Sequence, residues 1–209
     1  MRKNFMEKLS RKRLLITGLG VGILVLGLIA FSPLVSMAKG SNTVAATSDD
    51  LHPFTVTSPN FREDGPLPRT AEFGGGNGCT GKNIAPTLNW RGVPAGTMGF
   101  AMTMNDVDAP VAGGFHHWIV YNIPAQVRSI NGHNNFTGGT NSFGQTVYDG
   151  PCPPPTGQIH HYIFTVYALS VPSIQGQGLT FEALLQAISK DVVGATSTIG
   201  TFKRVPADS

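Results

Sequence analysis

Apolar residues in this chain fall into short alternating runs rather than long stripes. Met98-Gly99-Phe100-Ala101-Met102-Thr103-Met104 alternates large and small side chains with period two, which predicts a half-buried strand. Methionines at that spacing read as core packing rather than as a soft-metal site. The runs His117 to Ile123 and Tyr162 to Leu169 are rich in aromatic and β-branched residues and predict two more strands. Shorter strands are expected at Phe54 to Thr57, Leu88 to Trp90 and Ile199 to Phe202.

One stretch carries helical spacing. Thr180 is placed to cap it, Glu182 falls in its first turn, and Phe181, Leu184, Leu185 and Ile188 share a face. Lys190 near its end suits the helix dipole. Between these elements the chain is punctuated by Gly, Pro, Asn and Asp. No internal repeat and no strand–helix–strand alternation is present. The pattern predicts a mainly β fold, an antiparallel two-sheet β-sandwich with a few short peripheral helices.

The N-terminal segment is of another kind. Arg2, Lys3, Lys8, Arg11, Lys12 and Arg13 form a basic start, residues 14–31 are uncharged and mostly apolar, and Ser36-Met37-Ala38 supplies small residues. This is the pattern of a secretory signal peptide, with retention as an N-terminal membrane anchor as the alternative. Residues 1–38 are assigned to that role, 39–53 to a small polar linker, and 54–204 to the folded domain. In either case the domain is expected to be exported to the periplasm, the exterior or the cell surface. Membrane contact is expected only through a retained N-terminal segment.

Charge changes its meaning once this segment is set apart. Six of the 15 Lys and Arg residues precede position 14, so nine basic residues stand against eleven acidic ones after Ala38. The basic isoelectric point belongs to the export signal, and a nucleic-acid-binding reading fails. Two cysteines, Cys79 and Cys152, in an exported chain suggest a disulfide, with two buried free thiols as the alternative. The run Gly74-Gly75-Gly76-Asn77-Gly78 lacks a following helix, so it reads as a surface loop rather than a phosphate cradle.

The candidate chemistry lies in two polar clusters. Asp106-Val107-Asp108-Ala109-Pro110 is followed closely by Phe115-His116-His117-Trp118, and Tyr148-Asp149-Gly150-Pro151-Cys152 leads to His160-His161-Tyr162. Neighbours on a strand face opposite ways, so one imidazole of each His pair can enter a shared pocket. His160 and Tyr162 can share a face from which His161 is turned away, and Asp106 and Asp108 can lie together at a strand end. Histidines beside a carboxylate can be held as imidazolium and bind an anion, with backbone N–H groups near Gly150-Pro151 as added donors. A zinc hydrolase using His117, His160 and an Asp is the rival, although no His-Glu-x-x-His is present. A serine hydrolase lacks its Gly-x-Ser-x-Gly elbow.

Together these segments resemble the phosphatidylethanolamine-binding protein family, also called the Raf kinase inhibitor-like family, in its bacterial branch. The resemblance rests on Ser58-Pro59-Asn60-Phe61, Cys79 with Asn83-Ile84-Ala85-Pro86 and Leu88-Asn89-Trp90, Asp106 to Pro110, His117 to Pro124, Gly150 to Pro154, and His160-His161-Tyr162. It implies a two-sheet β-sandwich and a small pocket for phosphate-like anions or phospholipid head groups. The implied ligand set is Asp106, Asp108, Pro110, His117, Gly150, Pro151, His160 and Tyr162, with no metal, no cofactor and no catalysis. It also implies an alternative role as modulator of a protein partner, a protease or kinase, through the pocket rim. Val107 stands where the family usually has proline, His161 where it has arginine, and Thr80 where it has aspartate. These departures bear on ligand choice rather than on the fold.

Overall fold

The computed structural model describes residues 52–205; the predicted export segment and nearly all of the predicted linker lie outside them. A small antiparallel sheet contains β1 (Thr55–Thr57), β3 (Leu88–Arg91) and β6 (Ser129–Ile130), in the order β1-β3-β6. The larger sheet runs β2-β9-β8-β4-β5-β7. Its members are β2 (Gly65–Pro66), β4 (Gly99–Asp106), β5 (Phe115–Pro124), β7 (Thr137–Gly138), β8 (Ile159–Leu169) and β9 (Val192–Lys203). Every pairing is antiparallel except the short β2–β9 contact.

The alternation in β4 sorts two cores. Phe100, Met102 and Met104 point into the main core with Trp90 and Leu88 of the small sheet and Phe164 and Val166 of β8. Ala101 points the other way, into a second cluster with Ile119, Tyr121, Leu184 and Ile188. That second cluster is covered by α1 (Phe181–Ile188), whose cap Thr180 accepts a hydrogen bond from the Ala183 N–H at 3.3 Å. The sandwich therefore has helix on one outer face and sheet on the other. Of the peripheral helices expected, the described residues contain this one and a 3-10 turn at Arg69–Ala71. Lys190 lies beyond the last turn of α1.

The final strand is far longer than its apolar residues predict. Residues 192–197 carry little alternating apolar signal and are mostly outside the core, yet they complete a ladder along β8. Main-chain pairing extends β9 there, with a side-chain hydrogen bond between Thr165 Oγ1 and Ser197 Oγ at 2.9 Å.

The β4–β5 ladder holds two bulges, between Phe100 and Met102 and between Met104 and Asn105. The first coincides with Asn122 in a left-handed conformation, φ 58°. At the second, Met104 pairs with Trp118 whereas Asn105 pairs with His116, so His117 is the extra residue.

Cys79 and Cys152 are joined in a disulfide with Cα atoms 5.9 Å apart, closing a 73-residue separation. A loop of that length is worth about 4 kcal/mol on the chain-entropy model. Replacing both cysteines by alanine is expected to lower unfolding stability by about that amount, measured by urea titration of both proteins.

Candidate functional site

Because His117 is the extra residue of its bulge, it and Trp118 face the same side of the sheet. His116 is turned to the opposite side, where its ring stacks on Phe181 at 4.0 Å and its Nε2 lies 3.1 Å from Glu182 Oε1. The bulge decides which imidazole of the pair enters the pocket. No such device is needed on β8, where His160 and Tyr162 alternate with His161 in regular register.

The His117 ring is buried and anchored at one end. Its Nδ1 donates to the Asp149 carbonyl at 2.8 Å, which fixes the tautomer and leaves Nε2 with no hydrogen-bond partner among the described residues. Around it stand the rings of Phe115 at 5.1 Å, Tyr162 at 5.3 Å and Phe143 at 5.8 Å. His160 is fixed in the same manner, its Nδ1 lying 2.8 Å from Asp106 Oδ2 with both side chains buried. The other Asp106 oxygen accepts the Asp108 N–H at 3.0 Å. Two imidazoles thus share one arrangement: Nδ1 anchored to a protein oxygen and Nε2 left over.

They line a cavity of about 200 Å³ with Asp106 and Pro110. The remaining walls are mostly apolar: Ala109, Phe115, Phe143, Pro153, Pro154 and the disulfide sulfur side of Cys152, with Asn77 at the rim. Burial pushes the His117 pKa below the usual imidazole value, although the Asp149 carbonyl and the Asp106 charge pull the other way. The Tyr162 hydroxyl is sealed in without a well-formed hydrogen bond. Burial and the adjacent Asp106 charge raise its pKa, so it stays protonated.

Two expectations need correction here. His117 is not paired with a carboxylate: its Nδ1 meets a carbonyl, and burial moves its pKa down rather than up. The Gly150 N–H is not free for an anion either, since it donates to Asn83 Oδ1 at 2.7 Å.

A family model described as "Phosphatidylethanolamine-binding protein" matches residues 57–203. The chain belongs to this family. Among its relatives, UPF0098 protein YbcL of Escherichia coli is 42% identical over 131 residues, covering 58% of this chain and 71% of that one. The protein named "Putative lipoprotein LppC" of Mycobacterium tuberculosis is 37% identical over 168 residues, 78% of this chain and 80% of its own. The crystal structure of E. coli YbcL, titled a new member of the mammalian PEBP family, matches at a TM-score of 0.68 with 32% identity. That match covers 72% of this chain and 98% of the YbcL chain.

Of the eight residues that family resemblance implies, Asp106, Pro110, His117 and His160 line the cavity. The other four stand around it. Asp108 faces outward, where its Oδ2 accepts from both the N–H and Nδ1 of His161 at 2.7 Å. Burial works to raise the Asp108 pKa, but those two hydrogen bonds outweigh it and hold the carboxylate below its usual range. Tyr162 packs behind His117. The Pro151 carbonyl accepts the Phe73 N–H at 3.1 Å, and Gly150 passes so close to the 3-10 turn that a Cβ on it would lie 1.9 Å from the Ala71 oxygen.

Three supporting residues carried no clear signal in the sequence. The Asp149 carboxylate is buried and receives Asn141 Nδ2 at 2.8 Å and Asn83 Nδ2 at 3.4 Å. Asn141 Oδ1 in turn accepts the N–H groups of Phe143 and Gln145, shaping the turn that delivers Phe143 to the cavity. Asn141 lies in an Asn- and Gly-rich loop where nothing sets it apart from its neighbours. Asn83 could be found only as part of the family segment that precedes β3.

Arg204 ties the rim together. Its Nη2 donates to the Gly78 carbonyl at 2.8 Å, and its Nη1 to the carbonyls of Pro153 at 3.0 Å and Asn77 at 3.3 Å. The glycine-rich loop is thus fixed to the proline-rich one twice, by the disulfide and by this guanidinium.

Gly150→Ala is expected to destabilise the protein by about 3 kcal/mol or more, since only main-chain movement can relieve the contact. Thermal unfolding checks this, and a stability loss under about 0.5 kcal/mol would show that the turn yields.

Proposed function

We propose that this chain is an exported, non-enzymatic binding protein whose pocket takes phosphate-type anions, either free or as phospholipid head groups. The observation that carries this reading is the pair of buried imidazoles with Nδ1 anchored and Nε2 left to a ligand. With one proton added, His117 Nε2 becomes a charged hydrogen-bond donor in a largely apolar cavity, where such a bond to an oxyanion is strong. The apolar walls fit the ester side of a phosphomonoester or head group. Membership in a family named for phosphatidylethanolamine binding supports the same class.

Export is supported by the disulfide and by the relative named as a lipoprotein. Both cysteines of the 209 residues are in that disulfide, so this chain has no thiol left to carry a lipid. Any anchor would be the apolar run 14–31. No helix of the described residues is long and apolar enough to cross a membrane.

A second reading, modulation of a protease or kinase through the rim, is favoured by Val107 and Val111. They flank the cavity residues Ala109 and Pro110 and are about half exposed, 47% and 52%. For the hydrolase reading, no group of three or more His, Cys, Asp or Glu among the described residues is arranged to hold a metal. Asp106 is engaged by His160 rather than set beside it as a ligand.

Because burial lowers the His117 pKa, charging its imidazole for an anion requires a proton taken up from solvent or brought by the ligand. Affinity for phosphate and phosphoethanolamine is therefore expected to rise from pH 8 to pH 6, approaching tenfold per pH unit for one coupled proton. Two-dimensional NMR of the histidine rings checks this, and His117→Ala should weaken binding at least tenfold. Equal phosphate affinity in the variant and the parent would defeat the pocket reading, and no binding by either would favour the protein-partner reading.

Stability without ligand should have the opposite slope. The folded pKa of His117 lies below its unfolded value of about 6.5, so the unfolded chain binds more protons as pH falls. The His117 contribution is complete above about pH 6.5 and is lost below it. Urea unfolding from pH 7.5 to 5.5 is expected to show this decline, and His117→Gln should reduce it.

A further inference from the structure

A second cleft shares no lining residue with the histidine pocket. It has a volume of about 560 Å³ and is lined by Arg69, Glu72, Thr80, Lys203 and Arg204, with Gly78, Pro155 and Val205 completing its wall. This is within the size range of small-molecule sites. Three cations therefore face one carboxylate.

Their partners are few. The Lys203 side chain makes no hydrogen bond or ion pair to another described residue. Arg204 is held by main-chain carbonyls and meets no carboxylate among the described residues. The Arg69 guanidinium lies over the Phe202 ring at 5.4 Å, and its side chain is 73% exposed.

Glu72 is the unusual member. Its side chain is only 6% exposed, yet its one ion pair among the described residues is to Arg69 Nη1 at 3.8 Å, too long for a hydrogen bond. Carboxylates so deeply placed ordinarily accept several hydrogen bonds. The backbone beneath it cannot retreat. Its carbonyl accepts the Asn83 N–H at 2.9 Å, and Gly81 packs so tightly on it that a Cβ would lie 2.0 Å from that oxygen. A fixed acid that lines an open cleft among cations suits a ligand that brings both an anionic group and a hydrogen-bond donor.

We propose that this cleft is a second ligand site, separate from the histidine pocket, for a small acidic α-amino acid. The carboxylates pair with Lys203, Arg69 and Arg204, and the ammonium group donates to Glu72. Each charged group of the ligand then meets an opposite charge, and one positive charge of the cleft is left to solvent. A plain dicarboxylate balances the net charge of the cleft, but it offers Glu72 no donor and faces its repulsion.

The test is calorimetric titration of the full chain with aspartate and with succinate, which differ by the ammonium group. Aspartate is expected to bind at least tenfold tighter than succinate, with amide shifts at Gly78 and Thr80 in parallel NMR spectra. Glu72→Gln should remove the difference between the two ligands. The double change Arg69→Ala and Lys203→Ala, at exposed positions that leave the core intact, should weaken aspartate at least tenfold. His117→Ala should leave aspartate binding as it is. Equal affinity for the two ligands in the parent protein, no effect of the double change, or loss of aspartate binding in His117→Ala would each overturn the proposal.

Discussion

One extra residue in the β4–β5 ladder governs the geometry of the pocket. Strand alternation would place His116, not His117, on the side of Met104 and Trp118. The bulge at His117 reverses the order from that point to the strand end, and Phe115 comes round with His117 to wall the cavity. His116 is sent to the helix side, where α1 covers it. Bulges re-aim side chains at the cost of a ladder bond. Here that exchange converts a core-forming strand into one whose end carries chemistry.

The re-aimed imidazole would be of little use if it could rotate or change tautomer. What prevents this is a small buried network rather than a single bond. Asn83 and Asn141 hold the Asp149 carboxylate from two loops, Asp149 presents its carbonyl to His117, and Gly150 is pressed against the 3-10 turn. His160 needs less support, since Asp106 sits directly across the ladder from Tyr162. The two histidines reach equivalent states by different means, one through a loop carbonyl and one through a strand carboxylate. Networks of this kind raise the cost of misplacing any member, because each unsatisfied group would be buried.

The sequence was most informative where side-chain period and burial coincide. The β4 and β8 runs, the amphipathic face of α1 and its Thr180 cap could all be read from spacing. The length of β9 could not, because its first half is held by backbone hydrogen bonds and carries small, exposed side chains. Strand parity could show that one histidine of each pair enters the pocket, and it separated His160 from His161. It could not choose between His116 and His117, since a bulge leaves no mark in composition; the family resemblance supplied that choice. The family resemblance groups Asp108, Gly150, Pro151 and Tyr162 with the ligands, and they stand around the cavity rather than in its lining, because a matching residue type does not report the direction of a carboxylate or the use of an N–H. Asn141 went unnoticed for the opposite reason, as one asparagine among several in a loop.

The rim is built on another principle from the floor. Arg204 reaches Asn77, Gly78 and Pro153 through their carbonyl oxygens, and every residue type offers a carbonyl. The floor depends on particular side chains and on a glycine that admits no Cβ. The side chain at Pro154 can therefore be exchanged without loosening the ties that hold the loops, whereas the left-handed backbone at Asn77, φ 55°, favours Asn or Gly there. The pocket separates a fixed recognition element from an interchangeable collar, so its selectivity can be redesigned at the mouth while the imidazole pair beneath stays undisturbed.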